Sequence, residues 1–351
     1  MRWFSLDAKV NKSINFISKL VKKIFNNIIK GVLPVLLGAL ILYWIYAEFD
    51  FSSVGAALGE MNMFFFVLSL FFGVFSHVLR GWRWRLTLAP LGFSPRSDNC
   101  VYSIFIAYAA NLVLPRVGEV SRCVVIDRYD GVPFAQSFGT VVSERLVDTL
   151  MVVLITIVAV LLQWPVFRDF VLGAGGGSFA AGSAGWVDSI GGFSVLFLSL
   201  AAVCVLLFVL LRKMSFWAKI KSFYNRFVEG LLSLGKVKNM WLFVIETVGI
   251  WFCYFMQFYL CFFCFQFSEG LSLLAGLLLF VAGSIAVVVP TPNGAGPWHF
   301  AVISIMVIYG LSATDASLFA LIVHSSQTLL VAVLGIVALV ALQFKNNLLT
   351  K

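Results

Sequence analysis

The fold of this chain is decided by residues 99–131, which read NCVYSIFIAYAANLVLPRVGEVSRCVVIDRYDG. Residues 99–115 carry no charged side chain over 17 positions and end at a proline, Pro115. Residues 116–131 carry three arginines and three acids, and a segment with that many charges cannot cross lipid unaided. The pattern therefore predicts a re-entrant hairpin that enters a membrane, breaks at Pro115 and returns to the same side.

The composition of the whole chain indicates a membrane protein. It is 61% hydrophobic and 12% charged, with a mean hydropathy of +0.99, whereas soluble domains carry roughly 25% charged residues. The 36 Phe and 10 Trp are too many to bury in one soluble core. Several charge-free runs reach 17 residues or more, which is long enough to cross about 30 Å of hydrocarbon as a helix. We therefore expect an all-α, polytopic integral membrane protein.

The basic residues indicate which side of the membrane each loop occupies. Residues 1–30 and residues 212–238 each carry seven basic residues and one acid. Basic clusters beside hydrophobic spans mark cytoplasmic loops and attract anionic headgroups. The net charge of +9 therefore predicts anionic membrane lipids, and not nucleic acid, as the partner. We expect residues 1–30 to form an amphipathic cytoplasmic segment and the Gly/Ser-rich residues 168–192 to form an outer loop.

The remaining apolar runs complete the expected topology. About six full transmembrane helices are predicted, over residues 31–47, 61–79, 134–167, 193–211, 240–267 and 316–344. If residues 99–115 also crossed, the basic segment 212–238 would lie outside, against the positive-inside rule. Residues 270–314 contain no Asp, Glu, Lys or Arg and are broken by PTPNGAGP at 290–297. Residues 270–314 form either two full spans or a second re-entrant hairpin. Both alternatives return the chain to the side of the membrane from which the segment starts, so the topology does not distinguish them. Residues 31–345 then form a single domain with both termini cytoplasmic.

The two halves of the chain resemble each other. VLPRVGE at 113–119 and VVPTPNGA at 288–295 occupy the two hairpin breaks, and residues 149–159 match residues 328–338 at six of eleven positions. Prolines and glycines form the breaks: Pro115, Gly118, Pro290, Pro292, Gly294 and Gly296. We expect an inverted repeat, with one unit at about 61–167 and the other at about 240–344. Secondary transporters with this architecture bind substrate where interrupted helices meet at the membrane midplane.

Charged residues at membrane depth are costly and are default candidates for function. The first unit offers two triplets at helical spacing: Arg116, Glu119 and Arg122, then Glu144, Arg145 and Asp148. Arginine suits phosphate because its planar fork makes two parallel charge-assisted bonds. We predict a polar cavity for an anionic headgroup, in which the acids hold the arginines in place when the site is empty. In the alternative interpretation the charges form buried ion pairs that pin helices together, or lie at the cytoplasmic interface.

The second unit offers fewer polar candidates. Asn293 lies at its hairpin break, His299 follows the break, and His324 and Gln327 lie on the last span. Asn293, His299 and His324 are predicted to bind substrate, although the two histidines also suit packing or hydrogen bonding. A third group occupies the inner end of the second span. Arg80, Arg83 and Trp84 are predicted to anchor that end at the lipid headgroups, as Trp and Arg commonly do.

Four motifs in this order resemble one known family. They are Arg80-x-x-Arg83-Trp84, Leu114-Pro115-Arg116-x-Gly118-Glu119, Glu144-Arg145-Leu-x-Asp148 and Pro290-x-Pro292-x-Gly294-x-Gly296. Over roughly residues 35–345 the chain is similar to the lysylphosphatidylglycerol synthase transmembrane-region family, also described as flippase-like. The resemblance implies a prokaryotic cell (inner) membrane and movement of lipids between leaflets. The membrane half of the multiple peptide resistance factor does this with aminoacylated phosphatidylglycerol. It also implies that the site is formed by five residues of these motifs: Arg116, Glu119, Glu144, Arg145 and Asp148.

Two departures from that family shape the functional expectation. The lysyl-transfer enzymes carry a soluble acyltransferase domain after the membrane part, whereas this sequence ends seven residues after its last span. His299 also stands where the second hairpin commonly shows an acid. We expect a lipid translocase without a catalytic domain, metal or cofactor. The alternatives are an enzyme that acts on a polyprenyl- or glycerophospholipid-linked substrate, or a membrane partner of a separately encoded lipid-modifying enzyme. Association into a homodimer is a further alternative.

Overall fold

The computed structural model describes residues 34–163 and 217–349, and all regular secondary structure in these ranges is helical. The helices of the first range are α1 (Pro34–Tyr46), α2 (Ser52–Glu60), α3 (Met63–Leu88), α4 (Ser97–Val113), α5 (Val117–Asp130) and α6 (Phe134–Leu162). Those of the second range are α7 (Trp217–Leu232), α8 (Met240–Tyr259), α9 (Leu273–Ala286), α10 (Pro297–Ile308) and α11 (Ala313–Leu349). The predicted segments 1–30, 168–192 and 193–211 lie outside the described residues.

Four helices in the described ranges are long and apolar enough to cross a membrane: Met63–Leu91, Phe134–Leu162, Met240–Cys264 and Ala313–Lys345. They coincide with four of the six predicted spans. Residues 31–47 were expected to cross as well, but there the structure has only the shorter apolar helix α1. The all-helical, multi-pass character is thus confirmed, while the number of full crossings and the domain boundaries stay predictions.

The basic segment that is expected to connect two spans on the cytoplasmic side contains a helix in the part that the structure describes. Residues 217–232 form helix α7, which packs along the start of α6. The side-chain amide of Gln136 donates to Glu229 at 2.8 Å, and the ring of Phe227 lies 6.2 Å from that of Phe138. The segment is helical because tertiary contacts along one apolar side add to local propensity, which alone seldom stabilises a short helix.

The predicted break at Pro115 separates two packed helices, α4 and α5. Arg116 has a φ of 65°, a left-handed conformation that is uncommon outside glycine, and it reverses the chain. The Gly118 amide then donates to the Asn111 side chain at 2.8 Å. At the other end, the carboxylate of Asp130 accepts from the Arg96 amide at 3.0 Å and from Asn99 at 2.8 Å. The start of α4 and the end of α5 therefore lie together, so the segment is a closed helical hairpin.

Gly118 is the position where this hairpin tolerates no larger side chain. A Cβ atom at Gly118 would collide with the backbone carbonyl of Ala107 on α4. We expect Gly118→Ala to force the two helices apart and to lower the stability by about 1–3 kcal/mol, the usual effect of overpacking. Thermal unfolding of the purified protein in detergent measures the change. Gly235→Ala is the matched control because the space around Gly235 is open, and equal melting temperatures for the two variants would contradict the prediction.

The second hairpin is formed by α9 and α10, which also pack on each other. Its break contains the other non-glycine residue with positive φ in the described ranges, Asn293 at 51°, followed by Gly294 and Gly296 at 74° and 92°. The Asn293 amide donates to Thr328 on α11 at 3.0 Å. The open end of the hairpin lies in one aromatic core cluster, in which Leu271 and Tyr309 both pack. Both predicted breaks are thus confirmed as turns between packed helices.

The two units pack on each other reciprocally. Helix α3 packs against its counterpart α8, the first hairpin packs through α4 along α11, and the second packs through α9 along α6. The two breaks also meet, since a guanidinium nitrogen of Arg116 donates to the carbonyl of Val288 at 3.5 Å. Asp98 at the open end of the first hairpin pairs with Lys345 near the end of α11. Leu311, at the open end of the second, belongs to the same hydrophobic cluster as Ala316 at the start of α11. The hairpins therefore open toward opposite ends of that helix.

Candidate functional site

A cavity of about 400 Å³ lies between the two units. Both units line it: α3, α4 and α6 from the first, and α8, α9, α10, α11 and the second break from the other. Its polar lining consists of His77, Arg80, Tyr108, Arg145, Asp148, Thr149, Trp251, Tyr254, Gln257, Ser284, Asn293 and Gln327. The volume lies within the usual range for sites that hold a small molecule or a headgroup, about 300–1,000 Å³.

Arg80 and Arg83 lie inside the protein, so the prediction that they and Trp84 anchor the helix at the lipid headgroups is wrong. The exposed fractions of Arg80, Arg83 and Trp84 are 3%, 0% and 0%. Both guanidinium groups bind Asp148 on α6, Arg83 at 2.8 Å. Arg80 also donates to the hydroxyls of Tyr108 and Tyr254, which are 2.8 Å from each other. The correction follows from the pairing, because a buried charge requires an opposite charge and hydrogen bonds.

A second buried ion pair joins α5 to α6. Arg122 donates to Glu144 at 3.0 Å, and the exposed fraction of each side chain is 1%. The guanidinium of Arg122 also stacks over the ring of Trp84 at 4.7 Å, and the Trp84 indole donates to Thr140 at 2.9 Å. Arg122 and Glu144 do not line the cavity. Their contacts match the alternative left open by the sequence, a buried ion pair that pins helices together.

Arg145 differs from the three buried arginines. Its side chain is 42% exposed and lines the cavity. Its acidic neighbours are loosely placed, with Glu119 at 3.5 Å and Asp148 at 3.8 Å, both longer than a strong charge-assisted bond of about 2.8 Å. Asp148 is moreover already bound by Arg80 and Arg83. Within the described residues, the ion pairs of this network join four arginines to three carboxylates. Arg145 therefore presents the guanidinium that is most available to an incoming anion.

The remaining predicted site residues lie at the hairpin breaks. Arg116 is exposed and reaches across to Val288 without lining the cavity. The rings of His299 and His324 are buried 4.5 Å apart. His299 accepts from the Gly296 amide at 3.4 Å, and His324 lies 3.1 Å from the carbonyl of Asn293. The two histidines therefore brace the second break, in agreement with their alternative role, and of this group Asn293 alone lines the cavity.

Corresponding positions of the two units make corresponding contacts. The match of residues 149–159 with residues 328–338 pairs Arg145 with His324 and Asp148 with Gln327. Arg145 contacts Glu119 from the first hairpin, and His324 contacts His299 from the second. The first unit therefore presents charged groups where the second presents imidazoles and an amide. The arginines that line the cavity belong to the first unit.

Several cavity residues escaped the sequence analysis because they are polar aromatic or neutral residues inside apolar runs. Tyr108 lies in the charge-free segment of the first hairpin. Trp251, Tyr254 and Phe258 lie at spacings of three and four on α8, which places them on one face of that helix. This spacing was the signal that could have found them. His77 is one turn before Arg80 on α3, and its Nδ1 atom is buried without a hydrogen-bond partner.

Comparison with known proteins finds a family model and curated relatives that are similar to this chain. The family model described as "Lysylphosphatidylglycerol synthase TM region" matches residues 31–335. A glycosyltransferase, AglD of Haloferax volcanii, is 32% identical over 126 residues, which are 36% of this chain and 20% of that protein. The UPF0104 membrane protein MJ1595 of Methanocaldococcus jannaschii is 23% identical over 133 residues, 37% of this chain and 40% of that protein. The chain thus matches well under half of either relative, and no solved structure matches it.

Proposed function

Because the chain belongs to the lysylphosphatidylglycerol synthase transmembrane-region family, we propose that it moves an anionic phospholipid or another lipid-linked anion between membrane leaflets through the central cavity. The observation that carries this proposal is the placement of Arg145, a partly exposed guanidinium with loosely held acids, in a cavity lined by both units. In this proposal the chain acts as a translocase and catalyses no chemical transformation of the lipid.

The ion-pair network suits reversible binding of a phosphate. An incoming phosphate would replace Glu119 and Asp148 as the partner of Arg145. This exchange costs little at Asp148, because that carboxylate keeps Arg80 and Arg83 as partners. Glu119 has a side chain that is 24% exposed, so water stabilises it when Arg145 turns to the ligand. The buried pairs stay in place and keep the cavity formed, while Arg145 alternates between its acids and the headgroup.

The proposed topology is an inverted repeat of two re-entrant hairpins in a cell (inner) membrane, with both termini cytoplasmic. It is supported by the opening of the hairpins toward opposite ends of α11 and by the contact between their breaks. Movement of one unit against the other would expose the cavity to each leaflet in turn, as in other transporters with inverted repeats.

Site-directed labelling tests this topology. Glu60 and Lys238 are both exposed in the structure and belong to segments expected on opposite sides of the membrane. We expect a membrane-impermeant maleimide to label Glu60→Cys in intact cells, and to label Lys238→Cys only after permeabilisation. The native protein is the control, because the cysteines in its described part are buried. The reverse labelling pattern would exclude the proposed orientation.

Lipid scrambling tests the function directly. The purified protein is reconstituted into vesicles that contain a lipid labelled with nitrobenzoxadiazole on one acyl chain, and dithionite then quenches the outer leaflet. We expect quenching of labelled phosphatidylglycerol to exceed half in vesicles that contain the protein, and labelled phosphatidylcholine to stay near half. Equal behaviour of the anionic and zwitterionic lipids would argue against a specific anion site.

A second function is favoured by one relative. AglD is a glycosyltransferase, and this chain matches 20% of its length. The corresponding proposal is that the chain is the membrane partner of an enzyme that acts on a lipid-linked substrate. Isolation of a stoichiometric partner from the native membrane, together with scrambling that requires this partner, would favour it over a translocase that works alone.

A further inference from the structure

Resting on the proposed function, we infer that the headgroup taken into the central cavity is a phosphodiester that carries a polyhydroxyl ring, a sugar or a cyclitol. The cavity does not suit the cationic aminoacyl headgroup for which the family is named. Three features of the lining residues support this inference: their charges, their neutral polar groups and their aromatic rings.

The charges of the lining offer no partner for an ammonium group. Within the described part of the chain, Asp148 is the single carboxylate among the lining residues, and Arg80 and Arg83 both bind it already. A lysyl headgroup would bring its ammonium groups beside Arg80 and Arg145, and like charges at short range repel. A phosphodiester instead meets Arg145, whose present acids are 3.5 and 3.8 Å away. The cavity therefore accepts a negative charge and disfavours a positive one.

The rest of the headgroup would meet neutral hydrogen-bonding groups. Gln257 and Gln327, which carry side-chain amides, and Thr149 and Ser284, which carry hydroxyls, are among the lining residues. The amide of Gln257 lies next to Gly73 on α3. The hydroxyls of Thr149 and Ser284 donate to their own helix backbones, at 2.8 Å each, which leaves their oxygens as acceptors. A ring with several hydroxyl groups both donates and accepts hydrogen bonds, so it can pair with amides and hydroxyl oxygens together.

Two lining residues carry buried polar atoms without a partner. The Nδ1 atom of His77 and the indole Nε1 of Trp251 make no hydrogen bond in the structure, and the exposed fraction of His77 is 5%. Buried polar atoms are costly when unpaired. Both atoms lie behind the cavity surface, so a ring hydroxyl would reach them only when these side chains turn toward a headgroup bound at Arg145. Since both residues line the cavity, this part of its wall carries uncharged polar groups that a hydroxylated ring would satisfy after such a turn.

Aromatic side chains form much of the cavity wall. Trp251 lies 6.0 Å from Tyr254 and 6.3 Å from Phe280, and its ring is nearly perpendicular to both. Trp298 lies beside Gly283, where any larger residue would collide with the indole. Flat rings that combine an apolar face with a polar edge suit a ligand that is itself apolar on its C–H faces and polar at its rim. Hydroxylated rings have this character.

Competing lipids in one vesicle assay test the inference. Full-length protein is reconstituted separately with acyl-labelled phosphatidylinositol, phosphatidylglycerol, lysylphosphatidylglycerol and phosphatidylcholine, and the rate of entry into the quenched leaflet is measured. We expect phosphatidylinositol to move roughly three- to tenfold faster than phosphatidylglycerol, the effect of one or two added neutral hydrogen bonds. Lysylphosphatidylglycerol should move no faster than phosphatidylcholine. Movement of the lysyl lipid at the rate of phosphatidylinositol would overturn the inference.

Two variants and a matched control locate the effect. Gln327→Leu and Trp251→Phe each remove a neutral hydrogen-bonding group from the lining, and each should lower the ratio of phosphatidylinositol to phosphatidylglycerol rates. Ser326→Ala is the control, because Ser326 neighbours Gln327 on α11 and does not line the cavity. An unchanged ratio in both variants would overturn the inference. A competition experiment distinguishes the two lipids that could supply such a ring. An excess of unlabelled polyprenyl-phosphate hexose or of unlabelled phosphatidylinositol is added, and the rate of labelled phosphatidylinositol movement is measured. A lower rate with either competitor supports a site for a hydroxylated ring, and an unchanged rate with both contradicts it.

Failure of this inference is separable from failure of the proposed function. If phosphatidylglycerol moves and phosphatidylinositol does not exceed it, translocation stands and the polyhydroxyl headgroup is excluded. If no labelled lipid moves, translocation by the protein alone fails, and thermal stabilisation of the detergent-purified protein by short-chain lipids decides the ligand. Stabilisation by dioctanoyl phosphatidylinositol above dioctanoyl lysylphosphatidylglycerol supports the inference, and its absence overturns it.

Discussion

Replacement of Arg145 by alanine is expected to lower the rate of anionic lipid movement by about 10- to 100-fold and to leave the protein folded. This range corresponds to the loss of a hydrogen bond to a charged group, about 1.5–3 kcal/mol. The fold should persist because Arg145 is 42% exposed and its two acids lie at 3.5 and 3.8 Å. Exposed ion pairs of this kind contribute about 0–1 kcal/mol to stability. The scrambling assay measures the rate, and thermal unfolding in detergent measures the stability.

Two further variants sharpen this result. Arg145→Lys keeps the charge and loses the planar fork, so we expect a rate between those of the native protein and Arg145→Ala. Arg128→Ala removes an exposed arginine of α5 that does not line the cavity, and its rate should equal that of the native protein. A native rate in a well-folded Arg145→Ala protein would remove Arg145 from the mechanism. A loss of equal size in Arg128→Ala would show that net charge alone is measured.

Replacement of Asp148 by alanine is expected to destabilise the fold by about 3–5 kcal/mol, the usual cost of removing one partner from a buried ion pair. The side chain of Asp148 is 9% exposed, and those of Arg80 and Arg83 are 4% and 0% exposed. Without Asp148 these two arginines keep only hydroxyl partners and the more distant Glu144, which lies 3.8 Å from Arg83. The helices α3 and α6 would then separate, since this carboxylate holds Arg80 and Arg83 of α3.

The midpoint of thermal unfolding in detergent, or the yield of monodisperse protein where unfolding is complete, measures this effect. Asp98→Ala is the matched control. Asp98 also pairs with two basic side chains, Arg96 and Lys345, but the three side chains are 28% to 45% exposed. Ion pairs at such exposure contribute about 0–1 kcal/mol, so the control should unfold near the native midpoint. If Asp98→Ala were as damaging as Asp148→Ala, burial would not be the cause.

Much of the architecture was predictable because lipid imposes strict rules on a chain. Because residues 116–131 are too charged to enter the hydrocarbon, the apolar run before them must end at Pro115, and this rule located the first break. A charge-free run interrupted by prolines and glycines located the second at residues 290–297. The structure turns the chain at both places, at Arg116 and at Asn293. Four of the predicted spans were found for the same reason, since length and hydropathy are local properties of the sequence.

The partners of the charged residues could not be predicted in the same way. Arg80 and Arg83 beside a tryptophan have the local pattern of an interfacial anchor, yet they bind Asp148, which lies 68 and 65 positions further along the chain. The local pattern also favoured Arg116 over Arg145 as a functional residue. The structure places Arg116 at an exposed break and Arg145 in the cavity. Whether an arginine is buried, paired or available depends on which helix packs against it.

The sequence by itself determined the class of protein, the positions of the two helix breaks and the residue types that could hold an anion. These features follow from the length of the hydrophobic runs and from the positions of charges and prolines. The free energy of placing such segments in lipid does not depend on residues far away in the chain. Helix packing decided that Arg80, Arg83, Arg122, Glu144 and Asp148 pin helices together and that Arg145 stays partly exposed in the cavity. That distinction rests on distances of a few ångströms between helices that are far apart in the chain, and Coulomb and desolvation energies change steeply over such distances.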